Sequence, residues 1–141
     1  MKLNVLCLVA AAGLALAGCN KAESPAEVQH DVADARADAQ RDVADAQADA
    51  REDAADAQKD VADAASKNDN GELADASQNA SQTQNDNEFK VAVARAEASH
   101  KVSLEKCEAL KGNAQDDCKD RADNDLDAAK RQAEQLRDGR G

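Results

Sequence analysis

Asp31-Val-Ala-Asp-Ala-Arg36 opens a pattern that returns as Asp42-Val-Ala-Asp-Ala-Gln47, Asp53-Ala-Ala-Asp-Ala-Gln58 and Asp60-Val-Ala-Asp-Ala-Ala65. One apolar line runs through it: Val28, Val32, Ala35, Ala39, Val43, Ala46, Ala50, Ala54, Ala57, Val61 and Ala64. Every step is three or four residues, which is the period of one face of an α-helix. From Asp31 to Asp60 the pattern advances at roughly 3.6 residues per turn, so a nearly straight helix is expected rather than a tight left-handed supercoil. A second line, Asp31, Asp34, Asp38, Asp42, Asp45, Asp49, Asp53, Asp56, Asp60 and Asp63, follows the same period beside the first. Like charges at these spacings oppose the helix by a few tenths of a kcal/mol per pair, and alanine, the best helix former, supplies the opposing term. The sequence predicts a long acidic helix over residues 28–65. Upstream, Ser24-Pro25-Ala26-Glu27 has the form of a helix start, with Ser24 as cap, Pro25 at the first helical position and Glu27 closing a capping box.

The aspartate row reads as a solvated face that keeps a weak coiled coil soluble, rather than as an ion site. A specific calcium site wraps six to eight oxygens around one ion from a loop, and a straight helix spaces its carboxylates without enclosing anything. No metal ligand set and no cofactor are assigned.

Composition argues against a globular enzyme. The chain has 141 residues, with Phe89 as its sole aromatic residue. Beyond residue 19 the larger aliphatics are Val28, Val32, Val43, Val61, Val91, Val93, Val102, Leu73, Leu104, Leu110, Leu126 and Leu136. Alanine makes up most of the remaining apolar content, and each buried carbon contributes only about 0.8 kcal/mol. That falls short of the ordering cost of a compact domain, about 1–2 kcal/mol per residue for the backbone alone. Elongated helices with thin contacts are expected. The formal charge of −11 is concentrated upstream, since residues 89–141 hold equal numbers of acids and bases. An acidic chain is a poor ligand for nucleic acid, whose affinity comes from phosphate neutralisation.

At the N-terminus, Lys2 precedes an uncharged run from Val5 to Leu16. Twelve apolar residues suit a signal peptide and fall short of the roughly 20 that span a bilayer. The run ends Leu16-Ala17-Gly18-Cys19, which resembles the lipobox of bacterial lipoproteins at all four positions. The resemblance implies a signal peptide over 1–18, cleavage between Gly18 and Cys19, and acylation of Cys19 as a membrane anchor. Several acyl chains hold a protein stably where one gives marginal binding. Asn20 behind the cysteine, in place of aspartate, implies sorting to the outer membrane. Residues 19–27 would then form a short lipidated tether.

Ser66 to Glu88 is dominated by Ser, Asn, Gln, Asp and Glu, with Leu73 as its sole large apolar residue. It reads as a linker, entered through a helix stop at Lys67-Asn68-Asp69-Asn70-Gly71, with room for a turn or two of helix over Leu73 to Ala80 and a flexible stretch from Ser81 to Asn87. Residues 89–138 then carry two amphipathic lines. One is Phe89, Val93, Ala96, His100, Leu104, Cys107 and Leu110; the other is Ala114, Cys118, Ala122, Leu126, Ala129, Ala133 and Leu136. Gly112-Asn113 separates them, with glycine suited to the left-handed position after a helix and Asn113 with Asp116 suited to cap the next one.

Cys107 and Cys118 lie symmetrically about that turn. In one unbroken helix their Cα atoms would stand about 16 Å apart, whereas a disulfide needs about 4.4–6.8 Å. A bond therefore requires a bend, and an exported pair of cysteines usually forms one. Zinc would want three or four ligands, with only His100 in reach. A redox pair would more usually be Cys-x-x-Cys. A structural disulfide is favoured over both, and His30 reads as plain surface.

Lys106-Cys107-Glu-Ala-Leu110-Lys-Gly112, followed by Cys118 and an Ala-rich stretch, resembles a group of uncharacterised proteobacterial envelope proteins. That resemblance implies no activity. The Ala/Asp helix behind a lipobox is also loosely similar to small helical murein-type lipoproteins. Those end in a lysine joined to peptidoglycan, where this sequence has Arg137-Asp138-Gly139-Arg140-Gly141.

The sequence thus predicts an all-α protein without a large core: an elongated helix, a linker, and a disulfide-stapled helical hairpin. The expected role is that of a non-enzymatic structural or spacer lipoprotein of the bacterial envelope, facing the periplasm from the outer membrane. It would touch the membrane through its anchor and associate with itself or an envelope partner. The alternative is an acidic protein that protects others under stress or binds cations weakly.

Overall fold

The computed structural model describes residues 22–138; the lipobox and Cys19 lie outside them. The protein is all-α. Three helices follow in order: α1 Pro25–Ser66, α2 Asn70–Cys107 and α3 Asn113–Asp138.

The start of α1 forms as the sequence predicts. The Glu27 backbone N–H donates to Ser24 Oγ at 3.3 Å, and the Ser24 N–H donates to the Glu27 carboxylate at 2.9 Å. Pro25 occupies the first turn, where its missing N–H costs nothing. The whole seam from Val28 to Ala64 is buried or half-buried, with Val28, Val32, Ala35, Ala39 and Ala64 the most enclosed. At 42 residues, α1 is about 63 Å long.

The stretch expected to be a linker is helix. Only Lys67, Asn68 and Asp69 separate α1 from α2. Asn68 takes the left-handed conformation, φ 55°, a role asparagine shares with glycine after a helix. Asp69 then caps α2, accepting from the N–H groups of Gly71 and Glu72 at 2.8 and 3.2 Å. Residues 70–88 hold their helix by lying antiparallel on α1 and showing it a face that hydropathy hides. Leu73, Ala76, Ala80 and Thr83 are half-buried and Asn87 is buried. Ser77 and Ser81 donate their hydroxyls to the carbonyls four residues back, at 2.7 and 3.0 Å, so these polar side chains satisfy themselves within the helix.

Cross-links mark the antiparallel register over the full length of the pair. Lys67 meets Glu72 at the turn, Lys90 meets Asp53, and Lys101 meets Asp42, at 2.9, 3.1 and 3.1 Å. At the far end the Glu23 N–H donates to the Glu108 carbonyl at 3.1 Å.

The second hairpin is stapled. Cys107 and Cys118 form a disulfide with Cα atoms 5.6 Å apart, and Cys107 is fully enclosed. Gly112 adopts φ 54° with open space where a Cβ would project. Two details depart from the sequence reading. The α2 helix ends at Cys107, so Leu110 falls in the turn and is exposed. The α3 helix already includes Asn113, and the carbonyl of Gly112 receives the N–H groups of Gln115 and Asp116. Gln115, rather than Ala114, is buried beneath this turn.

Both α1 and α3 pack on α2, and their backbones do not meet among the described residues. Phe89, on α2, lies under the Arg137 guanidinium, 4.5 Å from ring centre, and α3 ends at Asp138 beside it. The molecule is therefore a rod. Its half near the disulfide is three helices wide, and its other half, where residues 70–86 of α2 lie against the last turns of α1, is a two-helix arm.

Candidate functional site

Three places on the rod concentrate chemistry. The first is the disulfide end. The Glu108 carboxylate accepts from Gln115 Nε2 at 2.7 Å and pairs with Lys119 Nζ at 2.6 Å, while its backbone carbonyl holds the Glu23 N–H. The turn thus clamps the segment entering α1. The carboxyl of Glu23 has one oxygen shut away without a hydrogen-bond partner. Its pKa is raised, first by burial and then by Asp31, Glu108, Glu105 and Glu27 nearby. That of Glu27 is lowered by its hydrogen bonds with Ser24. The Lys119 ammonium titrates higher because it donates to Glu108.

The second place is the acidic side of α1. The aspartate row lies along the rod as the period requires, and it serves partly as cross-brace. Asp42 and Asp53 reach Lys101 and Lys90 on α2, whereas Asp38 pairs with Arg41 and Asp63 with Lys59 along α1 itself. His30 lies 3.5 and 3.3 Å from Asp31 and Asp34 and is largely exposed. An open cleft between the helices of the arm is lined by Asp56, Asp60, Asp63, Glu72, Asp75 and Asp86, with Lys67 and Lys90 at its ends. Among the described residues no group of three or more His, Cys, Asp or Glu is arranged to hold a metal ion.

His100, the one candidate for a ligand beside Cys107, contacts Asp123 of α3 instead, with Nε2 at 2.6 Å. Cys107 is itself in the disulfide. The disulfide and the His100–Asp123 contact both join α3 to α2.

The third place was not legible as a motif. Because α1 and α3 do not meet, a groove runs along α2 on the side away from the aspartate row. One part, of about 450 Å³, is lined by Ala50, Ala54, Phe89, Val91, Ala92, Ala133 and Leu136, with Arg95, Arg137 and Glu88 at its edge. The next, of about 430 Å³, is lined by Val43, Ala98 and Val102, with Arg36 and Lys106. Leu136 is half exposed here. The signal available in sequence is positional: Arg36 lies off the aspartate line, and Arg95 and Lys106 recur on one side of α2.

Asn87 sits between the arm and the three-helix half. Its Nδ2 donates to the Ala50 carbonyl at 3.0 Å, and its Oδ1 is buried without a partner. It joins α1 and α2 through a side chain.

No protein-family model matches this chain, and neither a curated protein nor a solved structure is similar to it. The function is therefore argued from these surfaces. They offer ion pairing, a shallow apolar trough and long helices, which are means of binding and spacing.

Proposed function

We propose that the protein is a structural lipoprotein of the bacterial envelope, anchored through acylated Cys19 and acting as a rigid spacer rather than as an enzyme. The observation that carries this reading is the seating of Glu23. It lies four residues after Cys19 in sequence, and its backbone N–H donates to the Glu108 carbonyl of the disulfide turn. An anchor at Cys19 would hold the stapled, three-helix end close to the membrane. The two-helix arm would then point away, with its tip as much as about 63 Å out along α1. Among the described residues no helix is long and apolar enough to cross a membrane. In this reading the lipid supplies attachment and the helices supply reach.

Expression of the full chain followed by mass spectrometry of the mature N-terminus tests the proposal. A diacylglyceryl-modified Cys19 is expected, and Cys19→Ser should release the protein from the membrane fraction. An unmodified cysteine, or cleavage at another residue, would sink the reading.

A further inference from the structure

We infer that the cation-edged groove along α2 receives the acidic two-helix arm of a second copy of this chain. The inference does not depend on acylation of Cys19.

The argument starts from charge. The chain carries 29 acids against 18 lysines and arginines, so an idle cation has many carboxylates available to it. Yet Arg36, Arg95 and Lys106 form no ion pair among the described residues. All three are exposed and border the groove. Among the described residues the only acid lining it is Glu88. Meanwhile Asp56, Asp60 and Asp75 on the arm are exposed and form no ion pair among the described residues. Each surface carries what the other lacks. Complementary charge of this kind sets register and suppresses wrong partners.

Shape agrees. The groove floor from Glu88 to Lys106 is about 27 Å long, and the stretch of α2 in the arm, residues 70–86, is about 24 Å long. The groove is the empty place left by α1 and α3 standing apart on α2, and its floor is apolar around Val91, Ala92 and Val102. Among the described residues the arm is the one part of the rod without a third helix. Seating it in the groove would cover both deficits at once.

Asp56 and Asp60 lie on the face of α1 away from the groove-lining residues Arg36, Val43 and Ala50, so the contact is heterologous. Copies would add in a staggered row rather than close as a symmetric pair. Net negative charge opposes this at long range. At 0.1 M salt the Debye length is about 10 Å, so repulsion between whole rods is screened while paired side chains in contact still attract.

Zero-length carbodiimide coupling of the full chain in mild non-ionic detergent tests the contact, because it joins a lysine to a carboxylate only where they touch. Within one copy Lys106 and Asp75 are separated by about 46 Å of helix, so an amide between them can only be intermolecular. That amide, or its equivalent at Asp56 or Asp60, is the expected product. Arg36→Glu with Arg95→Glu should cut its yield about tenfold or more, and Asp56→Lys with Asp60→Lys should do the same. Mixing the two variants should restore a Lys106–Asp75 link between them. Absence of the amide in the wild type, a yield indifferent to either reversal, or failure of the mixture to recover would each overturn the inference. Protection of Lys106 by anionic vesicles without any such amide would also overturn it, in favour of a lipid headgroup.

Discussion

Asn87 occupies a position on α2 where a coiled-coil seam would ordinarily place an aliphatic. Its amide nitrogen reaches the Ala50 carbonyl, but its oxygen is buried unpaired, a cost on the order of 1–3 kcal/mol. The Ala50 carbonyl lies mid-helix, where an N–H four residues on already serves it. Asn87→Leu should therefore leave stability unchanged or raise it by about 1 kcal/mol, read as an unchanged or higher urea midpoint. A clear fall would show that the buried oxygen has a partner. What asparagine gives in exchange is register, as a single polar residue does in coiled coils. Glu23 and Glu27 carry opposite pH signatures. The raised pKa of Glu23 means that its neutral form suits the fold. Its contribution is complete below the unfolded carboxylate pKa and is lost as pH rises through the folded value. Glu23→Gln should thus stabilise the protein at neutral pH and make no difference in acid. The lowered pKa of Glu27 works the other way. Its contribution is present above the unfolded pKa and lost as pH falls through the folded one, so Glu27→Gln should cost stability only at neutral pH. Thermal melts of both variants against pH would check the signs.

Among the elements, α1 was the most legible. Every residue of its predicted seam is buried or half-buried, and its cap, proline and capping-box glutamate form as their types require. The hairpin was legible because two cysteines and a glycine fix a turn almost without reference to packing. The stretch 70–88 was not. Its inward face reads Leu73, Ala76, Ala80, Thr83, Asn87, so a search for apolar periodicity finds one large residue in five turns. That face is buried only because α1 is there to meet it, a fact of tertiary pairing that residues 70–88 do not carry. Asp69, read in sequence as part of a helix stop, is in the structure the cap of α2. The staple makes a further prediction at this scale. Cys107→Ser with Cys118→Ser should lower stability by about 3 kcal/mol. Because α3 packs on α2 alone among the described residues, its amides should lose protection first while the α1–α2 pair persists. Uniform loss across all three helices would contradict that order.

At the scale of the whole molecule, the thin core inferred from composition is resolved by geometry rather than by bulk. Among the described residues the most enclosed apolar ones are mainly alanines and two valines, with Cys107 the one fully buried side chain. Small side chains let the helices run close over a long contact, and the disulfide closes the end where a third helix is added. The interhelical ion pairs are largely exposed, each worth at most about 1 kcal/mol, so they set alignment more than stability. Everything proposed for this protein, the reach of the spacer and the seating of the arm in a neighbour, depends on residues 70–88 being rigid. Amide hydrogen exchange of the full chain in mild detergent tests that directly. Protection across residues 70–88 comparable with that of 89–107 is predicted; exchange there at unfolded-chain rates, with protection starting only near Phe89, would contradict it.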